Sequence, residues 1–84
     1  GLVNHVTEPQ DLNQRVMEMA SLIATKSSST LRVAKQTLRS ALDEGLTQGV
    51  ATEAKAFANL FDTEDKEIGV KAFLNRESAE WKHR

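Results

Sequence analysis

The chain reads as all-α: one short N-terminal strand or extended arm followed by about four amphipathic helices. Three observations predict this. Apolar residues recur at helical spacing through four successive segments. Polar breaks carrying serine, threonine, aspartate or glycine separate those segments. Only residues 1–6 carry a strand-like pattern, and no second strand pattern comes after it to pair with.

Taken in order, Gly1-Leu2-Val3-Asn4-His5-Val6 places Leu2, Val3 and Val6 around polar residues, which suits a short strand or an arm. A lone strand leaves its backbone groups unpaired, so this segment points to a missing upstream partner. The chain also opens on Gly1 without a methionine, in keeping with that expectation. Glu8-Pro9-Gln10-Asp11 breaks the arm and opens a helix, because proline presets a helical φ and needs no donor in the first turn. Leu12, Val16, Met19, Ala20 and Ile23 then fall on one helical face. Thr25 to Ser29 is a polar break, with Ser27 or Ser28 suited to cap the next helix.

The second helix carries Leu31, Ala34, Leu38, Ala41 and Leu42 on one face, with Arg32, Lys35 and Arg39 elsewhere. Asp43-Glu44-Gly45 ends it, with Gly45 expected in the left-handed position after the helix. The third helix is expected from about Thr47 to Phe61, with Val50, Ala54, Phe57, Ala58 and Phe61 sharing a face and Gly49 weakening its start. Asp62-Thr63 offers a cap for a fourth helix over roughly Glu64 to Arg76. Asp62/Lys66 and Glu67/Lys71 stand at ion-pair spacing there. The tail from Glu77 to Arg84 is polar except for Ala79 and Trp81. No linker or internal repeat divides the chain, so residues 1–84 read as a single domain.

Composition excludes several functions. Without cysteine there is no disulfide framework, thiol nucleophile or cysteine-based zinc site. A net charge of −1 lacks the basic face that nucleic acid requires, and one tryptophan and three phenylalanines offer little base stacking. No apolar run approaches the length of a membrane span. His5 and His83 have no carboxylate or second histidine at ligand spacing, so no metal site is expected. The serine run lacks a nucleophile elbow, and the glycines are too scattered to cradle a phosphate. No residue qualifies as catalytic, and at 84 residues the chain has a small core without staples.

Phe61-Asp62-Thr63-Glu64-Asp65-Lys66-Glu67-Ile68-Gly69-Val70-Lys71-Ala72-Phe73-Leu74-Asn75-Arg76 resembles the C-terminal signature of the enoyl-CoA hydratase/isomerase (crotonase) family. That pattern runs aromatic, Ala/Ser, Thr, acid, Asp, two variable residues, acid, Gly, then Ala-Phe and a basic end. Four more pieces match the family in order. They are Gly1-Leu2-Val3-Asn4-His5-Val6, the Leu12–Ala24 helix, and Leu31-Arg32-Val33-Ala34-Lys35 with Glu53 to Phe61. The chain departs from the pattern at Ser28, where many members have proline, and at Ile68, where Glu is usual. Ala79-Glu80-Trp81 replaces a common Pro-x-Phe/Tyr.

The resemblance implies the C-terminal helical domain of a crotonase-like fold, with the N-terminal catalytic core absent from these 84 residues. Its members bind acyl-CoA thioesters, hold the thioester oxygen with two backbone N–H groups, and move protons with carboxylates. The resemblance therefore implies a parent enzyme that hydrates or isomerises a 2-enoyl-CoA, with the coenzyme A thioester as substrate and no covalent cofactor. It implies self-association as a trimer or a dimer of trimers, and leaves cytoplasmic, mitochondrial and peroxisomal settings open.

Carried over by position, Phe73 and Arg76 match family residues that reach the CoA adenine and phosphate of a neighbouring subunit. A ring stacks on a purine, and a guanidinium grips a phosphate with two donors. The alternative is that Phe73 is core and Arg76 a solvated charge near the helix end. Phe57 and Phe61 match positions near the acyl pocket and also fit plain core aromatics. Lys35 reads as a surface lysine, and Trp81 as a tail pin or a subunit anchor. A stand-alone helical interaction module is the rival reading. It accounts for the missing catalytic groups but not for the orphan strand or the ordered family pattern.

Overall fold

The computed structural model describes all 84 residues. A single-turn 3-10 segment at Pro9–Asp11 leads into α1 (Leu12–Ala24), followed by α2 (Ser28–Asp43), α3 (Leu46–Leu60) and α4 (Glu64–Leu74). There is no strand. Residues 1–6 run as an exposed arm, with Val6 89% exposed, tied to α1 where the Arg15 guanidinium reaches His5 Nε2 at 2.8 Å. Of the two expected forms for this segment, the arm is the one formed, since nothing in the chain offers a strand to pair with.

Caps set the helix boundaries. The Ser27 hydroxyl accepts from the Thr30 N–H at 3.3 Å and starts α2. The Thr63 hydroxyl accepts from the Lys66 N–H at 3.1 Å and starts α4. Gly45 departs from expectation: its φ is −70°, and it caps the start of α3 rather than sitting left-handed after α2. The α2–α3 turn needs no positive φ, because Glu44 leaves α2 in an extended conformation. The Glu44 carboxylate then accepts from the Thr52 hydroxyl at 2.8 Å and ties the turn to α3. The fourth helix ends at Leu74, two residues before the expected Arg76. Its end is a Schellman motif: the Glu77 N–H reaches the Ala72 carbonyl and the Arg76 N–H the Phe73 carbonyl. Arg76 takes the left-handed position of that motif, with φ 54°.

Neither expected ion pair on α4 forms. Lys66 instead lies over the Phe61 ring, 4.7 Å from its centroid, and the ion pairs present are Arg15–Glu18 and Arg84–Glu64. Exposed helix pairs contribute only a few tenths of a kcal/mol, so a cation–π contact readily competes with them.

The packing between helices is sparse. α2 and α3 form the main helix pair, while α1 packs chiefly against the turn that precedes it. Ala72 is the only buried apolar residue, and the apolar stripes lie open, with Leu42 of α2 87% exposed. A folded chain of 9.3 kDa ordinarily exposes about 5,000 Å², whereas this one exposes 7421 Å². Its radius of gyration is 16.1 Å, against about 12 Å for a compact chain of this length. The helices are an open frame rather than a closed bundle.

Candidate functional site

The α1–α2 junction, the start of α4 and the C-terminal tail meet at a buried polar cluster centred on Asp65. Its carboxylate is 2% exposed. One oxygen accepts from the Ser27 hydroxyl at 2.5 Å and, more distantly, from Ser29. The other accepts from the Lys82 backbone N–H at 2.8 Å. The Asp65 N–H in turn donates to the Arg84 carbonyl at 2.9 Å. Burial pushes this carboxyl up. The hydrogen bonds from Ser27 and from the backbone of Lys82 and His83, with the His83 ring nearby, more than offset that and leave it below its ordinary value. Beside it, the hydrogen bond and charge of Arg84 hold Glu64 below its ordinary value as well.

The cluster brings a serine, a histidine and an aspartate together, but not as a nucleophilic triad. Ser27 donates directly to the carboxylate and is 4% exposed. The His83 ring turns Nδ1 to the Ser28 backbone N–H at 3.0 Å, not to the Ser27 oxygen. The carboxylate meets the serine directly, with no imidazole between them, so the arrangement is a buried hydrogen bond and not a relay to a nucleophile. No group of three metal-ligating side chains gathers anywhere in the chain.

Beside the cluster, an apolar groove of about 610 Å³ runs between α2, α3, α4 and the tail. Leu31, Phe57, Leu60, Phe61, Val70 and Trp81 form its apolar walls, with Lys26 and Lys66 at its polar edge. Phe57 and Phe61 meet edge to face at 5.3 Å and remain more than half exposed, so neither is a core residue within this chain. Trp81 pins the tail: its indole N–H donates to the Thr25 carbonyl at 2.7 Å. Its ring also lies where a side chain on Gly69 would stand, 3.1 Å from that Cβ position. Glycine at 69 is what lets the indole approach α4.

Phe73 lies on the outer face of α4, 82% exposed, which removes the core reading for it within this chain. Arg76 lies past the end of α4, so the two residues do not share a helical face as their spacing suggests. Both are open to solvent, away from the Asp65 cluster and the groove residues. Lys35 is an exposed residue of α2. Spacing alone missed Asp65. Its signal lay in the Thr-acid-Asp run at the start of α4, which looks like ordinary first-turn acidity until the tail folds back onto it.

Comparison with known proteins gives the same outline. The model for the family described as enoyl-CoA hydratase/isomerase matches residues 1–84. The chain is 36% identical over 84 residues to a probable enoyl-CoA hydratase of Rhizobium meliloti (strain 1021), covering 100% of this chain and 33% of that protein. It is 38% identical over 85 residues to the 2,3-dehydroadipyl-CoA hydratase of Escherichia coli (strain K12), again covering 100% and 33%. Among solved structures, an enoyl-CoA hydratase subunit I from Geobacillus kaustophilus HTA426 superposes with a TM-score of 0.92 at 32% identity, over 100% of this chain and 33% of that one. The chain thus spans about a third of the length of the relatives it matches.

Proposed function

The chain belongs to the enoyl-CoA hydratase/isomerase family, and from that premise we propose that it is the C-terminal helical region of an enzyme that hydrates or isomerises a 2-enoyl-CoA. Members of the family act on acyl-CoA thioesters. In this reading residues 1–84 are one helical domain that carries no catalytic group. Its apolar faces cover the catalytic core and meet neighbouring subunits in a trimer or a dimer of trimers. The oxyanion-holding N–H groups and the proton-moving carboxylates belong to the core, where they stabilise an enolate-like state of the thioester.

One observation carries the proposal: a chain that spans a third of its relatives leaves 17 large apolar side chains exposed and buries only Ala72 among its apolar residues. Isolated solvated helices do not keep such faces without a partner. Phe73 and Arg76 are assigned to the CoA nucleotide of an adjoining subunit. Their exposure beyond the frame supports that role, with the ring free to stack on adenine and the guanidinium free to grip a phosphate.

The test uses the protein produced from the whole reading frame, assayed for loss of the enoyl absorbance and for double-bond migration with 2-enoyl-CoA substrates. Turnover by the whole protein and none by the 84-residue chain is expected. A whole protein inert toward every enoyl-CoA, or a chain that turns substrate over unaided, would overturn the assignment.

A further inference from the structure

Four contacts hold residues 81–84 against the helices. Asp65 accepts the Lys82 N–H, Ser28 donates to the His83 ring, Arg84 pairs with Glu64 at 2.9 Å, and the Trp81 indole is bonded to Thr25. All four contacts join the tail to two places only, the α1–α2 junction and the first turn of α4. Between Arg76 and this latch, the segment packs into no helix of its own.

The tail is also strained near each end. Arg76 at φ 54° and His83 at φ 61° are the only non-glycine residues with positive φ. A side chain disfavours that conformation, so each persists only because surrounding contacts hold it. A segment strained near both ends and bonded only at those two neighbouring places has two natural states, latched and released.

We propose that residues 77–84 form a strap, latched by Asp65, that opens and closes as a unit and carries Trp81 as a removable wall of the α2–α3–α4 groove. Asp65 is the positioning residue, acting through the Lys82 backbone and the Ser27 hydroxyl. Trp81 is the moving part, seated against Gly69. Opening removes the indole from the groove and frees the α1–α2 junction, while the helices stay folded. The strap depends on the contacts of the tail alone, whichever acyl-CoA the parent enzyme takes.

Hydrogen exchange on the protein from the whole reading frame, resolved by mass spectrometry, reads the strap directly through the peptides covering 77–84 and 25–31. In the wild type these peptides should exchange together, and at least about tenfold faster than α2 and α3, because local opening lies below global unfolding in free energy. Asp65→Asn should speed strap exchange by about tenfold or more, since it removes the charged acceptor. Should that variant not fold, Gly69→Leu keeps the test: leucine is a good helix former and fills the place of the indole, so it releases Trp81 without touching Asp65. Arg76→Gly should slow strap exchange about fivefold by relieving the left-handed strain. Strap peptides that exchange only at the rate of the helices would overturn the proposal, because the tail would then be plain core. Strap peptides that stay protected in both Asp65→Asn and Gly69→Leu would overturn it too.

Discussion

Separating the 84 residues from any partner is the perturbation whose size the structure sets most directly. An unfolded chain of 9.3 kDa exposes about 13,500 Å². The folded frame still exposes 7421 Å², so folding buries only about 45% of that surface, against about 60% for an ordinary 60-residue domain. The excess over a compact chain is about 2,400 Å², near three times what one partner contributes to a standard interface. If a little over half of it is apolar, as on ordinary surfaces, its exposure forgoes about 35 kcal/mol of gross burial energy at ~25 cal/mol per Å². That exceeds the whole net stability of a typical domain, about 5–15 kcal/mol.

The isolated chain is therefore expected to self-associate or to melt without a cooperative transition. Sedimentation across a dilution series reads association, small-angle scattering reads size, and a hydrophobic dye reads open apolar faces. Association with strong dye binding agrees with the reasoning, as does a dilute species no more compact than the 16.1 Å frame. A monomer that unfolds in one sharp step, binds no dye and shrinks to a radius of about 12 Å would refute it, because the helices would then have found enough partners among themselves.

Three further outcomes are expected, all for the protein from the whole reading frame. Thr63→Ala removes the cap on the Lys66 N–H and should lower stability by about 1 kcal/mol, read by denaturant midpoint, with Thr63→Ser recovering most of it. Arg76→Gly should raise stability by about 1 kcal/mol, because glycine accepts the left-handed position freely. The same change should raise KM for the acyl-CoA severalfold, with kcat little changed, if the guanidinium grips a phosphate; an unchanged KM would remove Arg76 from the CoA site. Acid should loosen the tail first. Glu64, through the bond and charge of Arg84, sits below its ordinary 4.5. Asp65, where donated hydrogen bonds outweigh burial, sits below its ordinary 3.8. A depressed carboxyl stabilises the fold above its ordinary value and loses that contribution as pH falls through the lowered one. Stability should hold from neutral pH down to those values and fall below them. Glu64→Gln should flatten part of the fall, and salt should weaken the exposed Arg84–Glu64 share.

What the sequence made legible was local. Ser27 and Thr63 were readable as caps because a cap needs only a hydroxyl and the three residues after it. The helices themselves were readable from apolar spacing, to within two residues at most ends. Gly45 was misplaced because glycine serves either side of a short turn, and two residues between helices leave only context to choose. The α4 ion pairs were misjudged because they differ from the alternatives by tenths of a kcal/mol, too little for spacing to decide. Asp65 was invisible for another reason. Its partners at 27 and 82 stand 38 and 17 residues away, and no local pattern records a contact of that reach.

The apolar stripes were read correctly as stripes, yet in this frame Leu38, Leu42, Val50 and Phe57 are all more than half exposed. A helix keeps such a face only where something covers it, because exposed apolar surface of this extent otherwise drives aggregation. In the proposed reading periodicity reports the assembled protein, while a single chain buries only what it can cover itself. The difference between the two maps where the proposed partner surface would lie. It is largest along α1 and the open faces of α2 and α3, where the helices find no neighbour. It is smallest where the tail folds back, since there Asp65, Trp81 and Gly69 complete their contacts within the chain. Contacts that close on themselves belong to this chain alone, which is why the strap, and not the stripes, can be tested by changing single residues of it.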